Sequence, residues 1–263
     1  FQGMEGAYGQ AAMKTYFGED CNSYSVRTFR DAMEAIEEGA ADYAVLPIEN
    51  STAGAVNEVY DLLVEFENYI VGEVIIPITH TLAGLPGTQL SELKRVYSKA
   101  EALMQTTRFL EEHSDWQQIS VANTAIAAKK ILDDQDRTQA AVCSAYAAKV
   151  YGLEVLEDNI NDESGNCTRF IIVTNQKVFL KGAKKISICF EVPHESGSLY
   201  HLLSHFIYND LNMSKIESRP IEGRSWEYRF FVDFEGNLEE PGVKNALRGL
   251  REESRSLKIL GNY

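Results

Sequence analysis

Through roughly its first two thirds the chain alternates short apolar runs with stretches whose apolar residues recur every three or four positions, the signature of an α/β sheet. Residues 24–26 predict a strand and residues 29–38 a helix, with Thr28 at its N-cap and Gly39 just past its end. A second strand follows at 42–48. Val56, Val59, Tyr60, Leu63 and Phe66 fall on one face of a helix over 55–66, and an apolar run covers 69–78. The pattern then repeats as strand 95–97, helix 100–113, strand 119–122, helix 123–132 and strands 140–143 and 168–173. These elements suffice for two lobes, the last strand being free to return to the first lobe. Ligands of open α/β sheets bind outside the carboxyl ends of the strands, so a cleft between lobes is the expected site.

At 175–185 the texture changes to a polar, lysine-bearing stretch, which places a boundary between 1–178 and 179–263. Beyond it the pattern predicts strand 184–192, helix 196–208, strands 213–219 and 228–234 joined across Gly223, a helix over 241–252 opened by Pro241, and strand 256–260. The order β-α-β-β-α-β is the split ferredoxin-like unit. It carries no obvious catalytic group.

Composition narrows the partners. Thirty-nine acids against 25 bases leave a formal charge of −14, which repels phosphate backbones and anionic lipid, so neither nucleic acid nor a membrane surface is expected. An anionic substrate would need donors aimed at it locally. Cys21, Cys143, Cys167 and Cys189 form no Cys-x-x-Cys pair and are too few for a disulfide scaffold, which points to a reducing, cytoplasmic compartment. The opening residues have no signal-peptide pattern, no run reaches membrane-spanning length, and the start at Phe1 on structured-looking sequence fits a chain trimmed upstream.

Local motifs add little when taken singly. His201 and His205 have the i, i+4 spacing of a zinc pair but no third ligand in register, so ordinary packing is expected and no metal. Gly3, Gly6 and Gly9 mark a tight turn before a helix better than a phosphate loop. Asn50-Ser51-Thr52 matches a glycosylation acceptor, without consequence in an unexported chain. Thr168-Arg169 alone reads equally well as a surface pair entering a strand.

Four segments in this order change that reading: Phe1-Gln2-Gly3-Met4-Glu5-Gly6-Ala7-Tyr8, Leu46-Pro47-Ile48-Glu49-Asn50-Ser51, Asn166-Cys167-Thr168-Arg169-Phe170 and Glu217-Ser218-Arg219-Pro220. Together they resemble prephenate dehydratase over nearly the whole chain, including relatives fused to chorismate mutase. The resemblance implies a two-lobed catalytic domain like a type II periplasmic binding protein, followed by an ACT regulatory domain that senses phenylalanine. It further implies a homodimer or homotetramer with effector at the subunit interface.

Carried over residue by residue, the resemblance makes Thr168 central to catalysis, with Glu49, Asn50, Ser98 and Gln105 beside it. Arg169, Ser51 and Phe170 would contact substrate. Gly197, Ser198, Leu199 and Asn212, with Glu217, Ser218, Arg219 and Pro220, would bind the effector. Lys99-Ala100-Glu101 replaces the family's His-Pro-Gln inside the segment from Ser98 to Gln105.

The implied reaction converts prephenate to phenylpyruvate, carbon dioxide and water without a cofactor, in phenylalanine biosynthesis under phenylalanine feedback. Arg169 would grip a carboxylate, with Asn50, Ser51 and Ser98 completing an anion site. Thr168 would polarise the leaving hydroxyl, and Glu49 is the alternative acid. The altered Lys99-Ala100-Glu101 keeps a second function open, a noncatalytic amino-acid-responsive binding protein that retains the clamp.

Overall fold

The computed structural model describes Phe1–Tyr263, and its contacts fall into two compact units. One comprises Phe1–Thr28, Glu49–Gly54 and Val74–Phe170; the other comprises Phe29–Ile48, Ala55–Glu73 and Ile171–Tyr263. The architecture is mixed α/β, as the alternating pattern predicts.

The first unit is built on a five-stranded sheet in the order Gln117–Ser120, Arg95–Ser98, Gln139–Cys143, Thr81–Gly84, Glu154–Glu157. The first three strands are parallel, and Thr81–Gly84 runs antiparallel to both its neighbours. Side chains alternate across a strand, so Leu82, Val96, Ala140 and Val142 enter one apolar cluster with Leu110 and Trp116. Ala83, Tyr97, Ala141 and Cys143 enter the opposite one with Ala128, Ile131 and Ala147. A sheet buried on both faces reads as continuous apolar runs, which is why 140–143 is legible in the sequence. Two helices start on side-chain caps: Asn123 Oδ1 accepts the Ile126 N–H at 2.8 Å, and Ser144 Oγ accepts the Ala147 N–H at 3.0 Å.

Two expected elements are corrected. Residues 24–26 form no strand; Val26 makes one isolated bridge to Gln2, and Tyr24 is exposed. Residues 100–113 are not one helix but two, Ala100–Met104 and Thr107–Glu111. The Asp162 carboxylate accepts the N–H groups of Thr107 and Arg108 at 2.9 and 2.8 Å, while the Asp162 N–H donates to the Gln105 carbonyl at 2.7 Å. A residue remote in sequence thus satisfies the groups that a continuous helix would have paired internally. The break leaves Gln105 at a helix end instead of mid-helix.

In the second unit Lys185–Glu191, Ser198–Ile207, Met213–Pro220, Tyr228–Glu235, Pro241–Glu253 and Ser256–Asn262 follow in β-α-β-β-α-β order. Lys185–Glu191 lies between Tyr228–Glu235 and Ser256–Asn262, with Met213–Pro220 outside Tyr228–Glu235, all antiparallel. This is the ferredoxin-like arrangement. Ile186, Ile188, Phe190, Val232 and Phe234 face Leu202 and Phe206 of one helix and Val243, Leu247 and Leu250 of the other. His205 packs on Gly249 and stands 3.2 Å from Glu253, and no group of three or more His, Cys, Asp or Glu side chains is arranged to hold a metal.

The same sheet continues from Ser256–Asn262 to Tyr69–Pro77 through a parallel bridge between Gly261 and Ile70, and on to Cys167–Thr174 and Ala44–Asn50. Within these last three strands the chain passes from one unit to the other, so Asn50 and Thr168 lie on their first-unit stretches. A Cβ on Gly261 would stand 2.2 Å from the Ile70 carbonyl oxygen and 2.9 Å from Ile70 Cβ. Neither atom is a flexible side-chain tip. Gly261→Ala is therefore expected to cost about 2–4 kcal/mol, read as a lowered denaturant midpoint; an unchanged midpoint would show that the strands do not approach this closely. No helix is long and apolar enough to cross a membrane.

Candidate active site

Asn50 ends its strand in a turn that fixes which way its amide points. The backbone N–H groups of Thr52 and Ala53 donate to Asn50 Oδ1 at 3.0 and 2.8 Å. Nδ2 must therefore face the other way. There it finds three acceptors for its two hydrogens: Asn166 Oδ1 at 2.8 Å, the Cys167 carbonyl at 3.1 Å and Thr168 Oγ1 at 2.9 Å.

The consequences run along the chain of side chains. Because Asn166 Oδ1 accepts from Asn50, Asn166 Nδ2 is the donor to Gln105 Oε1, at 3.3 Å. Gln105 Oε1 also lies 2.9 Å from His80 Nε2, which makes that ring nitrogen the protonated one. Polarity set by two backbone N–H groups thus propagates through Asn50, Asn166 and Gln105 to His80.

Two donors are left over. Thr168 Oγ1 accepts from Asn50, and its own proton meets no acceptor within the chain. The Gln105 amide hydrogens likewise meet none, since only its oxygen and its backbone are engaged. Both residues are only partly buried. A hydroxyl that accepts one hydrogen bond donates the next more strongly. The cluster is suited to an oxygen-rich ligand that needs donors.

The other expected residues are placed differently. Glu49 and Arg169 form an ion pair at 3.5 Å, with side-chain exposures of 32% and 13%. Ser51 and Cys167 are joined through the Ser51 N–H and the Cys167 carbonyl at 2.9 Å. Successive residues of extended strands point to opposite faces, and the contacts follow this rule: Asn50 meets Thr168, and Glu49 meets Arg169. Arg169 is thus paired with Glu49, while Asn50 is paired with Thr168.

Ser51 Oγ accepts the Cys167 N–H at 3.0 Å and donates to the Gly165 carbonyl at 3.4 Å, so its hydroxyl serves the turn. Ser98 is fully buried and gives its proton to the Val142 carbonyl at 2.6 Å, inside the sheet. Phe170 is buried at 3% exposure, as part of the interior. None of these three is free to bind substrate in the way the sequence suggested.

His80 and Asn166 escaped the sequence reading. Asn166 opens the segment Asn166-Cys167-Thr168-Arg169-Phe170. His80 lies between Thr79 and Thr81 just past the apolar run 69–78, and a histidine directly after such a run was the available signal.

In the C-terminal module five of the eight expected effector residues line cavities, divided between two. Gly197, Ser198 and Leu199 line one of about 430 Å³ with Val192, Trp226 and Tyr228. Arg219 and Pro220 line another of about 640 Å³, where Arg219 makes a two-pronged bond to Asp61 at 3.0 and 2.6 Å. Glu217 stands 3.4 Å from Lys215, and Asn212 donates to Glu235 at 3.0 Å. Ser218 lies exposed on the same strand as Glu217 and Arg219.

Comparison with known proteins places the whole chain. The family model for prephenate dehydratase matches residues 1–178. A bifunctional chorismate mutase/prephenate dehydratase of Aquifex aeolicus is 39% identical over 256 residues, spanning 97% of this chain and 69% of that protein. The structure of prephenate dehydratase from Arthrobacter aurescens in complex with L-Phe superposes with a TM-score of 0.91 at 32% identity, covering 100% of this chain and 88% of that one. The quorum-quenching acylase GqqA superposes equally well, with a TM-score of 0.91 at 32% identity over 99% of this chain and 95% of its own. Through the match over 1–178 and the extent of its likeness to the Aquifex relative, this chain belongs to the prephenate dehydratase family.

Proposed function

We propose that the protein converts prephenate to phenylpyruvate, carbon dioxide and water. The observation that carries this reading is the directed network that leaves the Thr168 hydroxyl and the Gln105 amide as donors. At its reacting end prephenate presents a ring carboxylate, which only accepts, and a ring hydroxyl whose oxygen must accept as it leaves. As the ring carboxylate departs as carbon dioxide, its bonding electrons enter the ring, the opposite carbon–oxygen bond breaks, and the leaving oxygen takes up one proton to become water. Thr168 stabilises the charge developing on that oxygen, which is where a preorganised donor has most effect. The Gln105 amide supplies a second donor for a substrate oxygen.

The finer organisation belongs to the same proposal. Residues 1–178 form the catalytic domain with lobes of the periplasmic-binding-protein type, and 179–263 form an ACT domain for phenylalanine. The placement of Gly197, Ser198 and Leu199 on one cavity and of Arg219 and Pro220 on another supports a site completed by a second copy of the chain, hence a homo-oligomer in which phenylalanine shifts the balance of catalytic states. The setting is phenylalanine biosynthesis in the cytoplasm.

The test is ultraviolet detection of phenylpyruvate from prephenate, run beside the substrate analogue carrying an amine in place of the side-chain ketone. Turnover of prephenate, suppressed by phenylalanine, is expected. No aromatic product from either substrate above the uncatalysed background would remove the enzyme reading, and stabilisation by phenylalanine in that case would favour the noncatalytic binding protein.

A further inference from the structure

His80 is held on both sides before its ring is considered. Its backbone N–H donates to Asn161 Oδ1 at 2.6 Å, its carbonyl accepts the Ile160 N–H at 3.0 Å, and Asn161 Nδ2 donates to the Ile78 carbonyl at 3.0 Å. The side chain is buried at 2% exposure. Nε2 meets Gln105 Oε1 at 2.9 Å, whereas Nδ1 is buried without any partner. Burial lowers the pKa of the ring, against a smaller opposing effect of the Gln105 hydrogen bond, and so favours the neutral form.

The two ends of the network are anchored unequally. At the Thr168 end, Asn50 is locked by two backbone N–H groups. At the Gln105 end, the Asn166 bond is long at 3.3 Å, and the closer partner is His80. Inverting the Gln105 amide would set its N–H groups against the Nε2 proton of His80 and the Nδ2 protons of Asn166. Without His80, only the longer bond would oppose that inversion.

We propose that His80 is a positioning residue which, by donating its Nε2 proton to Gln105 Oε1, keeps the Gln105 amide hydrogens turned toward the substrate. Its effect on turnover rests on the dehydratase reading above; its effect on Gln105 does not. Inverting the amide would replace a donor by an acceptor facing an anion, and misdirected positioning groups lower rates steeply.

His80→Phe is expected to lower kcat about 10- to 100-fold, with a smaller change in KM, and His80→Gln to recover most of the loss because its amide restores a donor. Combined with Gln105→Ala, His80→Phe should add almost nothing, because the group through which it acts is gone. Full multiplication of the two losses would overturn the proposal, as would wild-type kcat in His80→Phe. A readout on the unmodified protein needs neither a folded variant nor turnover: nitrogen-15 histidine NMR should show Nε2 protonated and Nδ1 bare. Protonation at Nδ1 would overturn the assignment even in an active enzyme, whereas absent turnover with Nε2 protonated would count against the dehydratase reading alone.

Discussion

Thr168→Val should lower kcat about 10²- to 10³-fold, the loss typical of removing one preorganised donor from a developing oxyanion, while the protein melts within a few degrees of its normal temperature. The expected stability follows from the surplus of acceptors around Asn50. With Oγ1 gone, Asn50 Nδ2 keeps Asn166 Oδ1 and the Cys167 carbonyl, so neither hydrogen is orphaned. Valine also keeps the branched shape on strand Cys167–Thr174. Thr168→Ser, which retains the hydroxyl, should recover most of the rate. Near-normal turnover by Thr168→Val in steady-state assays would refute the donor role.

The second large effect is expected from Asn50→Asp. One carboxylate oxygen can still accept the Thr52 and Ala53 N–H groups, so the turn survives. The other would face Asn166 Oδ1, the Cys167 carbonyl and Thr168 Oγ1, all acceptors in the native network. Thr168 would relieve its share of this repulsion by turning its proton onto the carboxylate, withdrawing it from substrate.

A loss of at least about 10²-fold in kcat is expected, and Thr168→Val added to Asn50→Asp should cost little more. Asn50→Ala differs in kind: it leaves two backbone N–H groups without their acceptor and should lower stability by about 1–3 kcal/mol as well. If Asn50→Asp kept its activity, the direction of the network would have no part in the reaction. Thermal melts beside kinetics separate the two variants.

Legibility in the sequence followed burial symmetry. Strands buried on both faces, such as Gln139–Cys143, stood out as apolar runs. The C-terminal module was readable throughout because its strands and amphipathic helices each repeat a simple period. Thr81–Gly84, Ala145–Val150 and Glu154–Glu157 were too short to declare one. Helix 100–113 was overextended because the groups that end it are capped by Asp162, 54 and 55 positions from Arg108 and Thr107.

Asn50 and Thr168 were identifiable from their segments, but not Arg169's placement on the other face. That depends on the antiparallel meeting of residues 49–51 with 167–169. The residue types available for the chemistry, the α/β alternation and the ferredoxin-like order could all be read along the chain, because periodicity and local composition express them within a few residues. Which donors remain available depended on the fold. A hydrogen bond is directional and exclusive, so the disposition of Ser51, Ser98, Gln105 and Thr168 was settled by partners brought from far along the chain: 116 positions for Ser51 and Cys167, 44 for Ser98 and Val142, 25 for Gln105 and His80, and 118 for Asn50 and Thr168.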